Sequence, residues 1–337
     1  MIRRALISVY DKTGLEDFAR GLAELGVELV ASGGTATALA DAGIEASRVD
    51  ELTEVPELLG GRVKTLHPRI HAAILARRDN EDDLAALGEH AIEPFDLVCV
   101  NLYPFESVIA RHGTKEEEAV EMIDIGGPSM LRGAAKNFAH VIPVSRPAQY
   151  SDVLVELKAH DGAIPIESRR RLAAEAFATT AAYEAQIAAW FADRETFPET
   201  VILPFFKVLD LSYGENPHQR GAYYAQAGAR RHLLSRVEQL HGKDLSYNNL
   251  NDLSGARLAL REFTLPACVI VKHANPCGIA VAASIEQAYD RALASDPLSA
   301  YGGVVVVNRP VSEALGRRIA EQFVEVLLAP GYDEEAL

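Results

Sequence analysis

The stretch VELVASGGT, residues 27–35, joins an apolar run to two glycines and a threonine, and an apolar helical spacing continues to about residue 42. The run predicts a buried β-strand that leads directly into a helix, which is the building unit of α/β proteins. Backbone N–H groups at such a helix start attract anions, and glycine lets a ligand approach them closely. SGGT is therefore a candidate phosphate seat, although an ordinary helix cap with a flexible turn fits it equally well.

The same order of elements recurs along the first part of the chain. Predicted strands cover residues 5–10, 27–32, 95–103 and 141–145, and predicted helices cover 13–25, 35–42, a segment from about 104, 147–158 and 166–194. Alternating strands and helices predict an α/β fold with a mainly parallel sheet and helices on both faces. Ligands of such sheets bind beyond the carboxyl ends of the strands, so the polar residues at these ends are expected to share one crevice.

At 337 residues the chain is long enough for two domains, and its hydrophobic and charged fractions are those of a globular protein. Its formal net charge of −15 argues against a nucleic-acid-binding protein, because a phosphodiester backbone requires a basic surface. The N-terminus runs directly into a strand pattern and no apolar run reaches the length of a membrane span, so we expect a cytoplasmic protein that binds no membrane. The three cysteines are widely spaced and lack a CxxC pair, which indicates neither a disulfide scaffold nor a zinc site.

Two motifs place polar groups in or beside predicted loops. RVKTLHP, residues 62–68, lies in a segment without clean periodicity. Its Lys64 is suited to stabilise negative charge on an oxygen, but a basic surface turn is the simpler interpretation of the motif alone. NLYPF, residues 101–105, ends a predicted strand, where Tyr103 either donates to a carbonyl oxygen or packs over the sheet edge.

A third motif, DIGGPS at residues 124–129, starts a predicted helix that also carries Lys136. Asp124 is suited to orient or deprotonate an amide nitrogen, and Lys136 to hold that carboxylate charged. Taken singly, an aspartate cap and a solvated lysine explain these two residues. Ser8 and Lys12, near the end of the first strand, add a hydroxyl and a cation to the phosphate seat. The coincidence of all these groups at element ends favours acid–base chemistry on a small phosphorylated molecule.

A segment with two prolines, residues 197–204, indicates a linker, and we place the domain boundary between residues 198 and 199. Beyond it lie YGENPHQ at 213–219, a strand at 268–273 that runs into ANPCG, and YGGVVVVN at 301–308. The chain ends after a predicted helix and a Pro-Gly turn, and no closing strand is predicted.

Motifs from both regions resemble a known enzyme family. They are SVYDK (8–12), SGGT (32–35), RVKTLHP, NLYPF, DIGGPS and AAKN (134–137) in the first region, and YGENPHQ, KHANPCG (272–278) and DPLSAYGGV (296–304) in the second. Over essentially its whole length, the chain is similar to the bifunctional enzymes of purine biosynthesis. These combine an IMP cyclohydrolase with a phosphoribosylaminoimidazolecarboxamide (AICAR) formyltransferase.

The resemblance implies that residues 1–198 form a methylglyoxal synthase-like domain that closes the purine ring of formylated AICAR (FAICAR), giving IMP and water. Residues 199–337 are then the first, incomplete part of a cytidine-deaminase-like domain, which formylates AICAR with 10-formyltetrahydrofolate. The implied catalytic residues are Lys64, Tyr103, Asp124 and Lys136 for ring closure, and Lys272 and His273, the latter as proton acceptor, for formyl transfer. The implied substrate-binding residues are Ser8, Lys12, Ser32, Gly33, Gly34, Thr35, Arg62, Thr65, Asn101, Gly126, Gly127, Tyr213, Asn216 and His218. Ring closure requires no metal and no cofactor, and a homodimer is expected.

The second region departs from the family pattern in two ways. Ser212 stands where the family usually has an arginine, and the chain stops where the family continues. We therefore expect ring closure to be retained and formyl transfer to be lost. Two other functions fit the first region, namely a methylglyoxal synthase-like lyase acting on a triose phosphate and a non-catalytic phosphometabolite sensor or assembly module. The long NLYPF and RVKTLHP motifs disfavour the lyase, and the presence of all four implied ring-closure residues disfavours the module.

Overall fold

The computed structural model of the chain describes residues 1–56, 58–192, 197–227 and 233–337. It divides into two compact units, Met1–Pro204 and Phe205–Leu337. The domain boundary predicted between residues 198 and 199 lies in the last segment of the first unit, 197–204, which has neither helix nor strand.

The first unit is built on a five-stranded sheet. Its strands are β1 (Arg4–Val9), β2 (Glu28–Ala31), β3 (Ser47–Arg48), β4 (Leu97–Asn101) and β5 (Ile142–Val144). They follow the order β3-β2-β1-β4-β5, and every neighbouring pair is parallel. The predicted α/β class with a mainly parallel sheet is therefore confirmed.

Helices connect these strands and cover both faces of the sheet. Within the described residues they are α1 (Leu15–Glu24), α2 (Gly33–Asp41), α3 (Val49–Thr53), α4 (Pro68–Leu75), α5 (Glu81–Glu89), α6 (Phe105–Ile109), α7 (Glu116–Glu121), α8 (Gly126–Lys136), α9 (Tyr150–Ala159) and α10 (Ile166–Phe191). The predicted extension of the last helix to residue 194 lies outside the described residues. None of the described helices, the 26-residue α10 included, combines the length and apolarity that a membrane span needs.

The two faces of the sheet carry separate cores because side chains of a strand alternate between its faces. In β1, Ile7 packs in one cluster with Phe18 of α1, whereas its neighbour Leu6 packs in the other with Leu131 of α8. All five residues of β4 are buried, as is typical of a parallel strand covered by helices on both sides.

This topology brings three connections together at one edge of the sheet. Strand β1 lies between β2 and β4, so the β1–α1, β2–α2 and β4–α6 connections leave the carboxyl edge side by side. SVYDK, SGGT and NLYPF occupy these three connections. The strand order therefore explains why these three motifs lie close together, as the sequence predicts.

The second unit has a mixed sheet. Its strands are β6 (Phe205–Leu211), β7 (Gly221–Gln226), β8 (Ala267–Lys272), β9 (Asn275–Val281), β10 (Gly303–Val307) and β11 (Val324–Leu328), and its described helices are α11 (Tyr247–Leu260), α12 (Ile285–Ser295), α13 (Pro297–Ala300) and α14 (Glu313–Ala320). One sheet has the order β11-β10-β8-β9, and β6 and β7 form a separate antiparallel pair.

The prediction that no strand closes the chain is wrong. Val324–Leu328 pairs in parallel with β10 and packs its alternate side chains into the two cores of this unit, Leu327 on one face and Val326 on the other. A short apolar run such as VEVLL cannot be distinguished from the end of a helix by periodicity alone.

Candidate active site

A cavity of about 620 Å³ opens at the carboxyl edge of the first unit's sheet. Its lining includes every residue predicted for the site in this unit except Gly33 and Lys136, namely Ser8, Lys12, Ser32, Gly34, Thr35, Arg62, Lys64, Thr65, Asn101, Tyr103, Asp124, Gly126 and Gly127. Cavities of several hundred Å³ accommodate small-molecule ligands. The separate motifs therefore converge on one space large enough for a mononucleotide.

One end of the cavity has the features of an anion seat. The hydroxyl oxygens of Ser8 and Ser32 lie 2.6 Å apart, which joins the ends of two neighbouring strands. Helix α2 begins directly after Ser32, whose side chain makes no capping hydrogen bond. The first N–H groups of a helix have no acceptor inside it, so this helix start retains its attraction for an anion. Gly33 is absent from the lining, and its φ of 40° turns the backbone into the helix.

Lys12 adds a cation near the same end. Its ammonium folds back on the β1–α1 connection and donates to the backbone oxygens of Val9 at 2.7 Å and Tyr10 at 3.3 Å. Loss of solvent lowers the pKa of Lys12 from its ordinary value, and the neighbouring Asp11 partly opposes this shift. Lys12 is an exposed residue, but these two hydrogen bonds hold its ammonium at the cavity wall.

Asn101 and Thr35 line the cavity, but their polar atoms are engaged by the backbone. The Asn101 side chain accepts from the N–H groups of Tyr10 and Asp11 at 2.6 and 2.9 Å, and donates to the Asp11 carbonyl at 2.8 Å. The Thr35 hydroxyl accepts from the Val9 N–H at 3.0 Å and donates to its carbonyl at 3.1 Å. Both side chains hold the β1–α1 connection in place, and the substrate contact that the family resemblance implies for them stays a prediction.

Asp124 stands at the start of α8. Its Oδ1 accepts from the Gly127 N–H at 2.9 Å, and the backbone N–H of Tyr103 also bonds to its carboxylate. Burial raises the pKa of Asp124 above its ordinary value, and these two backbone hydrogen bonds oppose that shift without cancelling it. The helix-cap interpretation is therefore correct for one oxygen, while the residue also faces the cavity.

The two glycines of DIGGPS are required by close contacts. A Cβ atom on Gly126 would lie 2.5 Å from Oγ1 of Thr65, and one on Gly127 would overlap the Asp124 carboxylate. Any side chain at these positions would push Thr65 or Asp124 away from the helix start. The motif thus allows a carboxylate and a hydroxyl to pack directly on α8.

Lys64, Tyr103 and Arg62 complete the wall around Asp124. Tyr103 is 39% exposed, and its ring lies 5.4 Å from the ring of Tyr10, centroid to centroid. Arg62 forms an ion pair with Glu121, a cavity residue at the end of α7 that the motif analysis missed. Glu121 lies in a run of glutamates, and such a run is typical of a solvated helix face.

Lys136 lies elsewhere. It is the last residue of α8, and a helix rises about 1.5 Å per residue, so about 15 Å separate it from the Asp124 end. Lys136 lines a second cavity of about 620 Å³ together with His71, Arg132 and Arg170. The expectation that Lys136 keeps Asp124 charged is therefore not supported within this chain.

The predicted residues of the second unit do not form a comparable site. Lys272 donates to the backbone oxygen of Tyr301. His273 and Ala274, with φ of 55° and 64°, form the tight turn between β8 and β9. The side chains of Asn216 and His218 are exposed, and Tyr213 accepts the Tyr247 N–H with its backbone oxygen. Within the described part of this unit, no hydrogen bond or ion pair joins these side chains to Lys272 or His273. Ser212, an exposed residue, donates its N–H to Leu245.

The fold and the cavity define the first unit as an α/β domain of the MGS-like class, and a protein-family model described as "MGS-like domain" matches residues 14–129. A second family model, described as "AICARFT/IMPCHase bienzyme", matches residues 134–337, which is more than half of the chain. The chain therefore belongs to the AICARFT/IMPCHase bienzyme family. Lys64, Tyr103 and Asp124 fall within the first match, and Lys136 falls within the second.

Individual relatives agree with this assignment. The chain is 50% identical over 344 residues to a bifunctional purine biosynthesis protein PurH from Magnetococcus marinus, and 51% identical over 335 residues to one from Lacticaseibacillus casei. These matches cover 100% and 99% of this chain, which spans 65% of the length of each relative. A solved structure described as the crystal structure of ForH is 43% identical, with a TM-score of 0.52, and the match covers 57% of this chain and 100% of that one.

Proposed function

We propose that the first unit is an IMP cyclohydrolase, which closes the purine ring of FAICAR to give IMP and water. The observation that carries the proposal is the cavity itself, because one space joins an anion seat at α2 to a half-buried carboxylate, a lysine and a tyrosine. A ribotide has the matching order of groups, with a 5′-phosphate at one end and the reacting base at the other. Membership of the AICARFT/IMPCHase bienzyme family supports the same assignment.

In the proposed reaction, the 5′-phosphate binds at the start of α2 beside Ser8 and Ser32. The carboxamide nitrogen attacks the formyl carbon of the same molecule, and a C–N bond forms. The formyl C–O bond then breaks, and water leaves with one hydrogen from the carboxamide and one from the formamide nitrogen. Since nucleophile and electrophile belong to one ligand, holding them in a reactive conformation supplies up to about 7–11 kcal/mol of the barrier reduction.

Asp124 acts on the weak nucleophile in this scheme. Its ionised carboxylate accepts a hydrogen bond from the carboxamide N–H₂ group and takes a proton as the new bond forms. Its raised pKa makes the carboxylate a stronger base than an exposed aspartate. Lys64 and Tyr103 face the developing charge on the formyl oxygen and stabilise it before it leaves as water. Lys136 has no step here because it lines the other cavity.

The test is ring closure without folate. The purified chain is mixed with FAICAR, and IMP formation is followed by ultraviolet absorbance for the wild type and for Lys64→Ala. Lys158→Ala is the matched control, because Lys158 is an exposed lysine at the end of α9 and does not line the cavity. We expect turnover in the wild type and the control, and a loss of at least about a hundredfold in Lys64→Ala, as for other residues that stabilise an oxyanion. A folded wild type that binds IMP without turning FAICAR over would favour the sensor function instead.

We further propose that the second unit is part of a formyltransferase that transfers the formyl group of 10-formyltetrahydrofolate to AICAR, with Lys272 and His273 as its catalytic candidates. The family match over residues 134–337 supports this proposal. We propose that the protein acts in the cytoplasm as a homodimer on these small ribonucleotides, and not on nucleic acid or membranes. The net charge of −15 supports the exclusion of nucleic acid. Formyl transfer to AICAR tests the activity, and sedimentation equilibrium tests the dimer.

A further inference from the structure

Tyr183, in the middle of α10, bonds to the segment that carries Asp124. Its hydroxyl accepts from the Asp124 N–H at 2.8 Å and donates to the Met122 carbonyl at 2.9 Å. The side chain is buried, with 6% exposure. One hydroxyl therefore bonds to two residues of the connection between α7 and α8, from which the Asp124 carboxylate projects.

The ring of Tyr183 also contacts the segment that carries Tyr103. It lies edge-on to the fully buried ring of Phe105, with centroids 6.3 Å apart and planes at 74°. Phe105 follows Tyr103 by two residues, and the backbone N–H of Tyr103 bonds to the Asp124 carboxylate. The two cavity segments, from β4–α6 and from α7–α8, thus share one buried support on α10.

We propose that Tyr183 is a positioning residue of the ring-closure site, which fixes the Asp124 carboxylate against the Tyr103 segment without touching the substrate. The inference rests on the proposed function for its catalytic part. It adds a residue to which no sequence motif pointed, in an alanine-rich helix far along the chain. The hydroxyl holds the backbone of residue 124, and the N–H groups of Gly127 and Tyr103 hold its carboxylate. In the proposed reaction, that carboxylate acts on the carboxamide nitrogen.

The other charged side chains that line the cavity belong to other segments. They are Lys12 of the β1–α1 connection, Arg62 and Lys64 of the segment before α4, and Glu121 at the end of α7. Tyr183 itself stays neutral during an assay, because burial raises its pKa to about 12. Removing its hydroxyl therefore changes the geometry around Asp124 and leaves the charges of the cavity unchanged.

The variant Tyr183→Phe keeps the ring and removes the bridge. We expect kcat for ring closure to fall about ten- to a hundredfold with KM nearly unchanged, as misplacement of a reacting group by about 1 Å does in other enzymes. We also expect the acidic limb of the pH–rate profile to move to higher pH, because the N–H bonds that lower the pKa of Asp124 become looser. Thr180→Val is the control, since it removes a buried hydroxyl bond to Phe177 one turn earlier on α10 and leaves Asp124 alone.

Hydrogen exchange of the backbone gives a second readout that does not require catalysis. The Asp124 amide should lose its protection in Tyr183→Phe and keep it in Thr180→Val. Unchanged protection, or a Tyr183→Phe variant with the kcat and pH profile of the control, would overturn the inference. A wild type without turnover would instead overturn the proposed function, and the exchange data would still decide whether Tyr183 holds this segment.

Discussion

Replacing Asn101 by alanine should destabilise the first unit more than the loss of a single hydrogen bond does. The side chain is 8% exposed and makes three hydrogen bonds of 2.6, 2.9 and 2.8 Å to the backbone of residues 10 and 11. Each such bond contributes about 0.5–1.5 kcal/mol, and removing the side chain leaves two N–H groups and a carbonyl without their partner. We expect the free energy of unfolding to fall by about 2–4 kcal/mol.

Urea unfolding followed by tryptophan fluorescence measures this loss in the first unit alone, because the only tryptophan of the chain, Trp190, lies in α10. The control is Asn80→Ala, which removes a single, partly buried helix-capping hydrogen bond from the Asp83 N–H at 2.9 Å and should cost about 1 kcal/mol. IMP binding should weaken in Asn101→Ala and not in Asn80→Ala, because the β1–α1 connection lines the cavity. Equal losses of stability in the two variants would refute the view that Asn101 holds this connection.

Two further predictions concern Asp124 and its helix. Gly127→Ala should lower kcat at least tenfold and destabilise the unit by about 1–3 kcal/mol, because the added methyl group would overlap the Asp124 carboxylate. The control is Gly88→Ala, at a helix position with open space, which should leave stability and turnover unchanged or raise stability in the same urea and turnover assays. Asp124→Asn should abolish turnover but raise the urea midpoint at neutral pH. Because the pKa of Asp124 is raised, the native state holds the proton more tightly than the unfolded state, and the wild type should lose stability as the pH rises through the pKa of Asp124. A wild-type stability that does not change with pH in this range would contradict the raised pKa.

The sequence was most informative where local pattern and strand order act together. Periodicity alone places SGGT and NLYPF at strand ends, and a parallel sheet brings its strand ends together whatever the details of packing. The two glycines of DIGGPS marked a helix start, and the structure adds the reason, which is the close approach of Thr65 and Asp124.

Other features depend on contacts that a linear pattern does not encode. Asn101 is a polar residue at a strand end, and the sequence does not show that its side chain is hydrogen-bonded to the backbone of residues 10 and 11. Lys136 shares a helix with the Asp124 motif, but the length of that helix separates the two ends. Tyr183 is separated from Asp124 by most of α10 and two other helices in sequence, and helical spacing gives no indication of its hydroxyl bonds.

The central position of β1 has a consequence for folding. Strand β1 is joined to β2 after a short connection but pairs with β4 across more than 80 intervening residues, and the cavity needs both pairings. Closing so long a loop is slow compared with forming local contacts, so the nucleotide site is complete only once the whole sheet has assembled. A ligand that fits the cavity therefore binds only chains whose sheet is fully assembled. At saturating concentration this binding protects the folded chains against unfolding and proteolysis.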